Sequence, residues 1–252
     1  MEPQVIFEDD DILVINKPAG MTVNKADTTR NEKTLQEWVE EYLHLPPAPQ
    51  KQSITIDTDP RDVFLLRGGI VHRLDKETSG VLIIAKNPES FVELQRQFKE
   101  RIVKKRYIAL AHGDVTPNEG EINVPVGRLP WNRMRFGVLA GGRESLTKYT
   151  VMERYYHVAR GQKELLTLLE LQPLTGRTHQ IRVHLKYLGF PIVADELYAG
   201  RKQARGDRTW CQRLFLHANT ITFVHPVSKK EVQFTAQITE DLQSALDSLG
   251  KR

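Results

Sequence analysis

The chain has 252 residues, 40 % hydrophobic and 27 % charged, a globular balance that excludes a disordered or fibrous protein. No apolar run approaches the roughly 20 residues of a membrane helix. Residues 1–60 carry 5 Lys/Arg against 12 Asp/Glu, and residues 61–252 carry 31 against 20; this basic body points to a polyanionic partner such as nucleic acid.

The leading Met-Glu-Pro-Gln lacks the basic and apolar regions of a secretory signal. The only cysteine, Cys211, supplies neither an internal disulfide nor a thiolate zinc cluster. A reducing, cytoplasmic setting without membrane association is expected. Val5–Glu8 and Ile12–Asn16, separated by Asp9-Asp10-Asp11, read as an opening hairpin. Lys17-Pro18-Ala19-Gly20 then breaks the second strand. Thr34 and Glu37 form a capping box, and Leu35, Trp38, Val39 and Tyr42 repeat at helical spacing. Residues 44–66, with four prolines and little periodicity, are expected to be a long surface loop.

Val81–Ala85 reads as a fully buried strand. Asn87-Pro88 is an N-cap followed by a proline at the first helical position. That helix runs to about Glu100, with Phe91, Leu94, Gln95 and Phe98 on one stripe. Tyr107–Ala111 and Glu164–Leu171 are strands. Thr178 is the expected cap of a helix through Leu188, closed by Gly189 in a left-handed conformation. Thr220–Val224 and Glu231–Ala236 form a hairpin, and a helix near Glu240–Leu249 ends the chain. Strands and helices mixed without a regular βαβ beat indicate an α+β fold, expected as one domain over residues 1–252.

Between two apolar runs lies His72-Arg73-Leu74-Asp75-Lys76-Glu77-Thr78-Ser79-Gly80. Read alone, Asp75 with Thr78 is a turn whose carboxylate accepts local N–H bonds. The whole string resembles the signature of the RluA-type pseudouridine synthases. Three further segments match that family in the same order. Asn16-Lys17-Pro18-Ala19-Gly20 resembles its N-terminal motif. Lys104-Lys105-Arg106-Tyr107-Ile108-Ala109 is similar to the strand bearing its tyrosine, and Gly176-Arg177-Thr178-His179-Gln180-Ile181-Arg182-Val183-His184 to the segment bearing its arginine. The resemblance runs from about Val5 to Ala236. It departs at Ala194, where the family usually has glycine. No segment resembling the small RNA-binding S4 domain precedes the first motif, so RNA selection is expected to rest on this domain or on a partner.

The resemblance implies a mixed, mostly antiparallel sheet with flanking helices and a central RNA-binding cleft. It implies isomerisation of specific uridines in structured RNA, ribosomal or transfer, to pseudouridine. The C1′–N1 bond breaks, the freed uracil turns, and C5 takes the sugar. Neither redox change nor net hydrolysis occurs, so no cofactor and no metal is called for. Asp75 is the implied catalytic acid, either bonding to the sugar or taking its 2′ proton. Burial under a nucleotide favours its neutral form, and a cation at contact distance opposes that; Arg182 is the implied cation. Tyr107 stacks on the uracil and assists loss of the C5 proton. The nucleotide must be flipped, at a cost of a few kcal/mol, with Arg73 filling the gap and Leu216 packed under the base.

On their residue types alone, Arg182 reads as an exposed helix arginine, and Tyr107 and Leu216 as ordinary strand residues. His72, His179 and His184 read as packing or hydrogen-bonding groups rather than metal ligands. Arg128, Trp131, Arg133, Arg135 and Phe136 interleave cations with aromatics in a way suited to RNA. So do Arg201, Lys202, Arg205, Arg208, Trp210 and Arg213, in an expected loop. A monomer suffices for this chemistry. The alternative is a non-catalytic RNA-binding module on the same fold. A phosphate-transferring aspartate is disfavoured, because His72-Arg73 beside Asp75 repels magnesium.

Overall fold

The computed structural model describes residues 2–25, 32–49, 58–159 and 161–252. In chain order the elements are β1 (Gln4–Glu8), β2 (Ile12–Lys17), α1 (Leu35–Tyr42), α2 (Pro60–Arg67), β3 (Ser79–Ala85), α3 (Pro88–Lys99), β4 (Lys104–His112), β5 (Glu119–Asn123) and β6 (Val126–Leu129). They continue with β7 (Asn132–Val138), β8 (Leu146–Ala159), β9 (Gln162–Pro173), α4 (Gln180–Tyr187), α5 (Arg201–Asp207), β10 (Leu216–Val224), β11 (Glu231–Thr235), α6 (Glu240–Asp247) and β12 (Gly250–Lys251). The fold is α+β with mostly antiparallel strand pairing. None of the described helices is long and apolar enough to cross a membrane. The chain divides into two compact units, residues 1–104 with 220–236, and residues 105–219 with 237–252.

In the first unit β1, β2 and β3 pair antiparallel, and β10 pairs with β11. All seven residues of β3 are buried; each large aliphatic side chain there contributes about 1.5–3 kcal/mol by leaving water. The Thr34–Glu37 capping box forms as read. Asn87 accepts the Ser90 N–H to start α3, with Pro88 in its first turn. On α3 the inward glutamine is Gln97, not Gln95: its amide donates to the Val224 carbonyl at 2.7 Å and accepts the Val224 N–H at 3.0 Å. It thus pairs with β10 as a strand residue would. A second clasp joins the hairpin turns. Asp9 Oδ1 accepts the Asp11 and Ile12 N–H groups, and Oδ2 accepts from His225 Nε2 at 2.9 Å.

The expected loop over 44–66 is overturned at its end by α2. Asp59 accepts the Arg61 N–H at 2.8 Å, Pro60 occupies the first turn, and Gly68 closes the helix in a left-handed conformation. The helix buries only Phe64, so its apolar periodicity is faint. Residues 50–57 of that stretch lie outside the described residues.

In the second unit β4 pairs with β9 and β9 with β8, while β5 and β12 flank β8. The β8–β9 ladder runs from Thr147↔Pro173 to Ala159↔Gln162. Ala109, Leu169, Leu185, Phe215 and Leu242 lie in one buried cluster that α4 and α6 help to close. Cys211 belongs to it; its thiol donates to the Arg213 carbonyl at 3.2 Å, and burial pushes its pKa up to about 12. The thiolate is the reacting form. A disulfide-exchange reagent is therefore expected to leave the native protein untouched near neutral pH and to label its single thiol in denaturant. Rapid labelling of folded protein would contradict this burial.

Thr178 does not cap α4. The cap position falls on His179, at φ 56°, with no side-chain cap bond. The chain is held there by Gln180 instead, whose carbonyl oxygen accepts from Thr175 Oγ1 at 2.7 Å and the Arg177 N–H at 3.0 Å. Its amide donates to Leu146 O and Thr147 Oγ1. Gly189 ends the helix at φ 89°, as expected. The stretch expected to be a loop around Arg201–Arg205 is the short helix α5.

Candidate active site

The His72–Gly80 segment leads into β3 from a tightly fixed start. Gly69, at φ 70°, passes so close to that strand that a Cβ would stand 2.2 Å from the Ala85 carbonyl oxygen. Only glycine fits that approach. His72 Nε2 accepts the Ile83 N–H at 2.9 Å, and its ring stacks on Phe98 at 4.7 Å. Leu74 is buried, Asp75 half-buried and Arg73 exposed. The Thr78 N–H donates to the Asp75 backbone carbonyl at 3.1 Å, so a turn presents the acid.

Lys17 fastens this turn to the N-terminal motif. Although read as the residue that breaks its strand, it ends β2 opposite Gly80 and is fully buried. Its ammonium donates to the carbonyls of Pro18 at 2.7 Å, Met21 at 2.9 Å and Lys76 at 3.3 Å. The Gly20 N–H also donates to Lys76 O, at 2.8 Å. A buried cation is tolerated because carbonyl dipoles replace its water. The residue after Asp75 is thereby tied to residues 17–21. Beside the turn, Asn24, Arg67, Ile70, Val71, His72 and Arg73 line an open cleft of about 360 Å³.

In the second unit Tyr107 lies on β4 opposite Leu171, half-buried against the core. Arg182 is not the exposed arginine its residue type suggests. It is buried on α4, with Nε donating to Asp195 Oδ2 and Nη2 to Oδ1, both at 2.8 Å. Asp195 Oδ1 also accepts the Leu197 and Tyr198 N–H groups at 3.0 and 3.1 Å. The guanidinium lies 5.0 Å over the Tyr198 ring. Tyr198 OH takes the Phe136 N–H at 3.1 Å and shares a 2.9 Å hydrogen bond with His179 Nδ1. His179 and Arg182 thus meet one aromatic ring, as their shared helix face anticipates.

Asp195 follows Ala194 in the segment compared with the family but carries no expected role there; the available signal is an acid closing the apolar run Ile192-Val193-Ala194. Ala194 adopts φ 59°, the left-handed region that suits the family's usual glycine. Its N–H donates to Asp207 Oδ2 at 2.8 Å, which also holds His112 Nε2 at 3.0 Å. Leu216 is buried in the core of its unit.

The two cation-aromatic stretches differ. In the β6–β7 hairpin Trp131 and Met134 are 75 % and 76 % exposed, and Arg128 sits 5.1 Å over Phe136. In the second stretch Arg213 is committed to Asp241 and Thr239, Arg208 pairs with Glu196, and Trp210 stacks on His157. Arg201, Lys202 and Arg205 remain on exposed positions of α5.

The RNA pseudouridylate synthase family model matches residues 11–187. The chain is 34 % identical to an uncharacterised RNA pseudouridine synthase of Bacillus subtilis, over 100 % of this chain and 74 % of that protein. It is 34 % identical to the ribosomal large subunit pseudouridine synthase D of Xanthomonas campestris, over 97 % of this chain and 69 % of the relative. The solved human RNA pseudouridylate synthase domain containing 1 superposes with a TM-score of 0.72 at 25 % identity, covering 100 % of this chain and 89 % of that one. The chain therefore belongs to the RNA pseudouridine synthase family, of the RluA type, and is an isomerase acting on RNA.

Proposed function

We propose that the protein converts specific uridines of structured ribosomal RNA to pseudouridine, with transfer RNA as the second substrate class. Asp75 acts at the sugar as the C1′–N1 bond breaks. Arg182 is the cation of this chemistry. Tyr107 stacks on the turning uracil and helps remove its C5 proton; N1 regains a proton, so the atoms balance and no co-reactant is consumed. Arg73 enters the space left by the flipped base, its planar guanidinium stacking in the base's place. Leu216 packs under the extruded ring. We place this activity in a cytoplasmic monomer.

The observation that carries this reading is the Asp75 turn, whose following residue is tied down by a buried lysine and whose flank opens on a cleft lined by Arg67 and Arg73. A pure binding module needs phosphate-facing cations but no pre-set acid. The ribosomal assignment is supported by the name of the Xanthomonas relative. Mapping pseudouridines by chemical labelling and reverse-transcription stops, in RNA from cells with and without this protein, tests it. Loss of one or a few ribosomal RNA sites is expected; an unchanged map across ribosomal and transfer RNA would rule the proposal out.

A further inference from the structure

Strand β4 carries Lys105 two residues before Tyr107. Alternation along the strand sends both side chains from one face, about 6–7 Å apart. Lys105 is half-buried, yet among the described residues its ammonium has no hydrogen-bond or ion-pair partner. Burial alone holds its pKa down to about 8. The contrast with Lys17, whose buried ammonium is met by backbone carbonyls, is direct. The nearest acid on the paired strand, Glu170, faces Arg106 at 3.6 Å, from the opposite face of β4.

The ammonium lies beside Gly176, the glycine that opens the Arg182 motif: its Nζ stands 3.8 Å from where a Cβ on that residue would be, an ordinary van der Waals contact. A partly desolvated cation without a counter-charge is costly to keep, and the cost falls when a ligand brings the anion. RNA brings one phosphate per nucleotide. We propose that Lys105 is a phosphate-binding residue for the RNA substrate, its ammonium taking a backbone phosphate next to the nucleotide that stacks on Tyr107. This rests on the reading of the protein as an RNA isomerase and adds a contact that fixes the strand rather than the base.

The test uses the full chain and a fluorescent 20-nucleotide oligouridylate, with affinity measured by anisotropy over a range of salt. Lys105→Met is expected to weaken binding roughly tenfold, the scale of a lost charge-assisted hydrogen bond. It is also expected to flatten the slope of log affinity against log salt by about 0.7, the signature of one lost phosphate contact on a single strand. Lys105→Arg keeps the charge and is expected to restore both. Because the methionine variant relieves a desolvated charge, its thermal midpoint is expected to be no lower than wild type. An unchanged slope, an equal loss in both variants, or failure of the wild-type chain to bind the oligomer would each overturn the proposal. Isomerisation of RNA from cells lacking the protein is scored separately. A changed slope without isomerisation would leave the phosphate contact standing and remove the catalytic reading.

Discussion

Asp75→Asn is expected to lower isomerisation by about 10³-fold or more, the scale on which single reacting groups act, while the fold and RNA binding persist. The amide is nearly the size of the carboxylate, but it neither attacks the sugar nor takes its 2′ proton. The turn does not depend on the charge: the Thr78 N–H bonds to the backbone carbonyl of residue 75, and Lys17 holds the carbonyl of residue 76. Removing one negative charge from a surface that meets a polyanion should tighten binding, if it changes it at all. Tritium released from C5 of labelled uridine in RNA from cells lacking the protein reads the chemistry, and filter binding reads affinity. Activity near wild type would sink the assignment of Asp75. Loss of activity together with loss of folding, seen by circular dichroism, would instead assign it to structure.

Local chemistry made several elements legible before any coordinates. Thr34 with Glu37, and Asn87 with Pro88, meet helix-end needs within three residues of chain, so their patterns are self-contained. The α4 start is not of that kind. Its cap sits in a left-handed conformation held by Gln180, whose partners Leu146 and Thr147 lie over thirty residues earlier in the chain. The same holds for charge. Arg213 reads as a cation for RNA until Asp241, 28 residues later, takes it. Lys17 reads as punctuation, because nothing in Asn-Lys-Pro-Ala-Gly says its ammonium will be buried among carbonyls. The family motifs pointed to Asp75, Tyr107 and Arg182 as reacting groups. They assign no role to Asp195, or to Lys17 although it stands within the N-terminal motif; these two residues hold Arg182 and the Asp75 turn in place.

Asp195→Ala is expected to cost about 3–5 kcal/mol, the penalty for stranding one partner of a buried ion pair. The side chains of Arg182 and Asp195 are 7 % and 0 % exposed, so water cannot replace the lost carboxylate. The substitution also strips the Leu197 and Tyr198 N–H groups of their acceptor. Urea unfolding followed by fluorescence measures the loss. Stability and chemistry then separate in a second variant. Arg182→Met with Asp195→Leu removes both charges and fills the space, so most of the stability is expected to return, since apolar pairs often match buried ion pairs. Activity is expected to be lost, because the double variant removes the cation proposed to take part in the chemistry. A stable, fully active double variant would mean that Arg182 serves packing alone. A double variant as unstable as Asp195→Ala would place the cost in the two backbone N–H groups rather than in the stranded guanidinium.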